Sequence, residues 1–143
     1  MNNQHSEGVG TLIFSRSTSR YLFLLRSKGK TLDNWGIVGG KVESNETVIQ
    51  ALIREIQEEI GVDFSNKKFI TLETFTADDG KFVYYTFVVT VDEEFIPVLN
   101  KEHTGYCWTV LDHHPKPLHP GLWRSFKFDI IKRKIKTLEA ILK

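Results

Sequence analysis

Between Val48 and Ile60 the chain changes period. Val48, Ile49, Leu52, Ile53, Ile56 and Ile60 recur at spacings of three and four, which marks one apolar helix face. The segments on either side run apolar in short blocks or alternate, as strands do. A face of this kind beside several strand signals restricts the chain to a layered α/β arrangement. Ser44 or Asn45 is placed to cap the helix, with Glu46 in its first turn, and Gly61 stands where a left-handed C-cap belongs.

The other elements follow from the same patterning. Val9 to Ser15 and Arg20 to Arg26 read as strands, and the polar turn Ser15 to Ser19 makes them a hairpin. Tyr21-Leu22-Phe23-Leu24-Leu25 is apolar without alternation, as in a strand covered on both faces. Ser27 to Asn34 is a loop, and Trp35 to Val42 a glycine-rich strand end. Lys68 to Phe75 and Lys81 to Val91 read as strands joined by the tight turn Asp78-Asp79-Gly80. Asp92 to His103 is a loop, Tyr106 to Leu111 a short strand, and His113 to Gly121, with three prolines, a further loop. Trp123 to Leu142 reads as one helix with Phe126, Ile130, Ile131, Ile135, Leu138 and Leu142 on its apolar face. The expectation is one domain over residues 1–143, a mixed sheet with two helices.

Composition removes several classes of function. At 143 residues, 41% apolar and 26% charged, the chain has enough material for one core and too few charges for disorder. No apolar run approaches the length of a membrane span, and the polar stretch Met1 to Gly10 does not read as a secretory signal. The single Cys107 excludes a disulfide framework and suits a reducing cytoplasm. The near-zero net charge hides an asymmetry. Residues 124–143 carry Arg124, Lys127, Lys132, Arg133, Lys134, Lys136 and Lys143 against Asp129 and Glu139. Such a basic end reads first as the solvated face of a terminal helix, and second as a track for nucleic acid.

The acids gather elsewhere. On the first helix Glu55 and Glu59 stand one turn apart, with Glu58 about 60° round from Glu55. Two like charges 4 Å apart repel by about 1 kcal/mol in water and about 4 kcal/mol in a protein-like dielectric. A bound cation removes that cost, and oxygen donors alone suit Mg²⁺ or Mn²⁺. The pair Gly39-Gly40 lets backbone approach the same place. On three glutamates alone, an exposed acidic helix paired with lysines is the better account of the pattern.

The longer run is more specific. Gly40, Glu46, Arg54, Glu55, Glu58, Glu59 and Gly61, with apolar Ile56 and Val62, stand in the register of the Nudix box, which this segment resembles. Seven fixed positions match by chance at about 10⁻⁸ per placement, so coincidence is not a competing account. Leu24-Leu25-Arg26 and Trp35-Gly36-Ile37-Val38-Gly39-Gly40-Lys41 resemble the family's approach to the box, except that Val38 stands where members usually have proline. That change removes stiffness and no chemistry. Downstream, Glu102-His103 followed by Trp108 is similar to the segment where many members place an extra glutamate.

The resemblance implies an α/β/α sandwich, a mixed sheet with a catalytic loop-helix-loop. It implies that Glu55, Glu58 and Glu59 with the Gly39 carbonyl hold Mg²⁺ or Mn²⁺, and that Glu46 pairs with Arg54. Arg26 and Lys41 would face phosphates. Glu58 or Glu102 would act as general base, the latter on a loop hinged at Gly105. The implied reaction is hydrolysis of a nucleoside diphosphate linked to another group, by a cytoplasmic enzyme acting on a small nucleotide. Two rivals stand beside it: an RNA 5′-end pyrophosphohydrolase or decapping-type enzyme, and a Nudix-like binding module without catalysis. Further expectations are a homodimer edge on the N-terminal hairpin, packing roles for Trp35, Tyr106 and Trp108, and no metal site at His113, His114 and His119. The segment Thr76 to Gly80 carries neither the proline nor the tyrosine that mark some substrate classes of the family.

Overall fold

The computed structural model describes residues 5–143; the start of the polar stretch Met1 to Gly10 lies outside them. Seven strands form one mixed sheet: β1 (Ser6–Ser15), β2 (Arg20–Arg26), β3 (Trp35–Gly36), β4 (Val38–Lys41), β5 (Ile70–Thr76), β6 (Phe82–Val91) and β7 (His103–Thr109). The order is β3-β2-β1-β6-β5, with β4 added to β1 and β7 to β2. β1 runs parallel to β6 along its whole length and antiparallel to β4 and β2.

Helix α1 (Val48–Ile60) covers one face, and α2 (Pro120–Lys127) with α3 (Asp129–Leu142) the other. The strands divide their side chains accordingly. Val9, Ile13, Leu22 and Leu24 meet Leu52, Ile56 and Ile60 of α1. Leu12, Phe14, Tyr21 and Phe23 meet Phe126, Ile131 and Ile135. The unbroken apolar run in β2 therefore reflects burial on both faces. Each fully buried aliphatic or aromatic side chain contributes about 1.5–3 kcal/mol. This is the expected α/β/α sandwich, and no helix among the described residues is long and apolar enough to cross a membrane.

Several expectations change. The N-cap of α1 is Thr47, not Ser44 or Asn45. Its hydroxyl accepts from the Gln50 N–H at 3.1 Å, and the Gln50 side chain accepts from the Thr47 N–H at 2.9 Å. Such a capping box is worth about 1 kcal/mol. Residues 43–46 are occupied with a turn of their own, in which the Glu46 carboxylate accepts from the Glu43 N–H at 2.9 Å. Glu46 is thus outside the helix. Gly61 closes α1 at φ 74°, as expected.

Trp35 to Val42 is two short strands, β4 being paired to β1, where a strand end was expected. β7 begins at His103 and not at Tyr106, so Gly105 lies opposite Leu25 within the ladder and is no hinge. The terminal helix is broken at Phe128, whose extended backbone (ψ 124°) separates α2 from α3. The break turns the two faces independently: Leu122 and Phe126 are buried from α2, Ile131 and Ile135 from α3, while Ile130 is 72% exposed. Much of the edge expected to serve a homodimer is taken within the chain: β1 pairs with β6 from Ser6 to Ser15, and on its other side with β4 at Gly8–Thr11 and with β2 at Phe14–Ser15.

Candidate active site

The glycine pair of β4 receives the carboxylates of α1. Glu55 and Glu59 point toward the sheet and are buried, while the Glu58 side chain is half exposed. The Gly39 N–H donates to Glu59 Oε1 at 3.1 Å. A Cβ on Gly40 would lie 2.3 Å from the Glu55 carboxyl carbon, so only glycine leaves room for this carboxylate. Gly39 packs just as closely on β1, where its Cβ would meet the Val9 carbonyl at 2.2 Å. The expected approach of backbone to carboxylates is present, made by an N–H.

Arg54 occupies the middle of the acids. Its guanidinium donates twice to Glu46, at 2.7 and 3.0 Å, and also to Glu55 at 3.0 Å, Glu58 at 3.4 Å and the Lys41 carbonyl at 3.0 Å. The bidentate partner, with the Glu43 N–H, holds the Glu46 carboxyl down at about 2. Arg54 thereby ties the turn before α1, β4 and the helix into one unit.

The charge is under-compensated further in. Burial pushes the Glu59 carboxyl up to about 8 against the pull of the Gly39 N–H, with Glu55 and Glu102 adding to the rise. Glu55 is likewise raised by burial, offset by Arg54. Glu102, immediately before β7, is thus near enough for its charge to act on both. Its backbone is fixed by Asn100 Oδ1 and by Ser27, without a mobile hinge. Among the described residues no three acidic, His or Cys side chains already converge as a metal site. Arg54 instead draws Glu55 and Glu58 toward itself. A buried carboxylate with one backbone partner, and oxygen donors only, fits a hard divalent cation.

A cavity of about 380 Å³ opens between the sheet and α2. At one end Arg26, Gly39, Gly40 and Lys41 line it, so both expected phosphate-facing cations meet the glycine pair. Arg26 is steadied by Thr31 Oγ1, which accepts from its Nε at 2.5 Å. Toward β5 and α2 it is lined by Glu73, Phe75, Phe82, Arg124 and Ser125, and Tyr84 lies between the two groups. Tyr84 lies flat against β1: a Cβ on Gly8 would come within 2.8 Å of its ring and one on Gly10 within 2.3 Å of its hydroxyl. None of this second group was singled out in the sequence. The usable signal was strand alternation, which puts Glu73 with Phe75, and Gly8 with Gly10, on common faces.

The remaining candidates are placed separately. His103 is buried with both ring nitrogens unpartnered, and burial pushes its imidazole down to about 4. His114 meets the Pro115 carbonyl, His119 accepts from the Gly121 N–H to cap α2, and His113 ends a short 3₁₀ turn. The three do not converge. Trp108 donates to the Phe95 carbonyl at 3.1 Å within the core, and Trp35 packs on the α2–α3 side, as expected for packing residues. Tyr106 is 38% exposed.

Comparison with known proteins agrees with this geometry. Residues 4–128 match the model of the NUDIX domain. Dihydroneopterin triphosphate diphosphatase of Haemophilus influenzae is 32% identical, with 76% of each chain covered. The 8-oxo-dGTP diphosphatase of Buchnera aphidicola is 31% identical over 73% of this chain and 75% of its own. Among solved structures, the MutT NUDIX hydrolase from Burkholderia pseudomallei superposes with TM-score 0.69 at 26% identity, covering 83% of this chain and 93% of that one.

Proposed function

The chain belongs to the Nudix family and is a nucleotide pyrophosphohydrolase of that family, and from that premise we propose that it cleaves a small nucleotide in which a nucleoside diphosphate is linked to another group, with Mg²⁺ or Mn²⁺ at Glu55, Glu58, Glu59 and the Gly39 carbonyl. The observation that carries this reading is the burial of Glu55 and Glu59 against a glycine pair that also lines a cavity holding Arg26 and Lys41. The named substrates of the relatives, dihydroneopterin triphosphate and 8-oxo-dGTP, are polyphosphates of fused-ring heterocycles and suit such a cavity.

A divalent cation held by Glu55, Glu58 and Glu59 would offset phosphate charge and lower the pKa of the attacking water. The chain supplies the rest. Arg26 and Lys41 orient the phosphates by their charge, and Glu46 with Arg54 keeps the helix in register with β4. Glu58 or Glu102 accepts the water's proton at a carboxylate oxygen. Glu58 is the more open of the helix acids, which suits a group that exchanges protons with solvent. In this proposal the described residues act as one domain, and a cytoplasmic setting accords with the free Cys107.

The cavity, about 380 Å³ between sheet and helix, matches a small nucleotide better than an RNA 5′ end. Phosphate release from nucleoside polyphosphates, coupled to a phosphatase, tests the reading. Turnover stops in chelator and returns with Mg²⁺ or Mn²⁺; full turnover in chelator overturns it.

A further inference from the structure

The far wall of the cavity takes no part in the reaction just described. Glu73 and Phe75 leave β5 opposite Thr86 and Tyr84 of β6, and α2 brings Arg124 and Ser125 against them. The Glu73 side chain is only 14% exposed and is held from outside. Ser125 Oγ donates to Oε1 at 2.5 Å and Arg124 Nη2 to Oε2 at 3.4 Å. The Arg124 guanidinium is itself fixed 4.0 Å over the Phe75 ring centre. Each carboxylate oxygen offers two acceptor positions, so both oxygens of Glu73 retain one after these bonds. Tyr84 stands two residues along β6 from the Thr86 that faces Glu73, and Phe82 continues the aromatic surface beyond it, the two ring centres 6.2 Å apart and tilted by 34°.

A rigid carboxylate at the edge of an aromatic surface discriminates planar rings by their donors. We propose, resting on the nucleotide-hydrolase reading above, that Glu73 reads the heterocycle of the substrate by accepting hydrogen bonds from a ring N–H and an adjacent exocyclic NH₂. That pair of donors belongs to the 2-amino-4-oxo pyrimidine edge of guanine and related fused rings. Adenine presents a ring lone pair beside its amine, which a carboxylate oxygen repels. Cytosine presents the same mismatch, and uracil a single N–H between two carbonyls. Sites built to bond a donor reject analogues lacking it far more strongly than apolar pockets reject a changed shape. Glu73 is a specificity residue in this account, and the phosphate end of the cavity is left to Arg26 and Lys41.

Calorimetric titration of the full chain in Mg²⁺ with GMP, IMP and AMP reads the edge without the chemistry. Wild type binds GMP at least about tenfold tighter than AMP, with IMP, which lacks the exocyclic amine, in between. Glu73→Gln replaces an acceptor by a donor and brings the three within about threefold. The ligands are compared on one protein preparation, so a reduced folded fraction does not alter the ratio. Absence of measurable GMP binding, a wild-type ratio below about threefold, or a ratio that survives Glu73→Gln overturns the proposal. Selective GMP binding without hydrolysis of any nucleoside polyphosphate would instead remove the hydrolase reading and leave the edge reading standing.

Discussion

Helices α1 and α3 are nearly equal in length, amphipathic, and packed on opposite faces of the same sheet. Their buried sides do the same work: Leu52, Ile56 and Ile60 on one, Ile131 and Ile135 on the other. Their polar sides differ in kind. On α1 the acids and Arg54 are tied to β4, to Glu46 and to one another, and the cap at each end is filled. On α3 the N-cap is Phe128, which supplies no side-chain hydrogen bond, and Lys132, Arg133 and Lys136 are exposed. The match to the family model also ends at residue 128, so it includes α1 and stops short of α3. Packing asks only for an apolar stripe, which many sequences provide. Chemistry asks for particular groups in one register, and those are what a family motif preserves.

This contrast predicts that changes on the polar side of α1 lower the rate without unfolding, whereas those on α3 act on stability or not at all. The largest effect is expected for Glu58→Gln, which reduces kcat at least about 10²-fold at saturating Mg²⁺ with an unchanged melting temperature. A rate within a few-fold of wild type would take Glu58 out of the reaction. Glu102→Gln, from a different element, lowers kcat about tenfold with little change in KM if its charge serves as the base. A silent Glu102→Gln alongside a severe Glu58→Gln assigns the proton to α1 alone. Ile135→Val in the core under α3 costs about 1 kcal/mol in denaturant unfolding and leaves kcat as it was. The smallest effect is expected for Lys136→Gln, within about 0.5 kcal/mol in stability and without effect on rate. A rate loss there, with a steep salt dependence, would bring back the RNA-directed reading.

Legibility in the sequence followed the same division. The α1 face and its Gly61 cap were readable because period and αL geometry act over a few residues, and the Glu46–Arg54 pair because the segment resembles the family's box. The true cap, Thr47, was missed because Ser44 and Asn45 carry equally good capping side chains. Only the competing turn, which commits Glu43 and Glu46, excludes them. The break at Phe128 was unreadable for a related reason: Phe126, Ile131 and Ile135 satisfy one continuous helical stripe, and the tertiary need to bury both Leu122 and Ile135 decides otherwise. The heterocycle end of the cavity had no motif at all. Glu73, Tyr84 and Ser125 are assembled from β5, β6 and α2, and nothing in their spacing along the chain brings them together.

The fit of Tyr84 over Gly8 and Gly10 sets an order on how this protein can diverge. With the tyrosine ring in place, any side chain at either glycine collides with it, and at Gly10 the clash is with the hydroxyl itself. Each glycine therefore takes a side chain only if the Tyr84 ring moves aside or residue 84 becomes smaller. Once Tyr84 is lost and a β1 glycine has gained a side chain, restoring the tyrosine meets the same clash from the other side. Descendant sequences that took the two steps are held there, although each step was permitted when it was made. A lineage in which position 84 is large and positions 8 and 10 are not glycine would need the ring to have moved aside or β1 and β6 to have shifted apart.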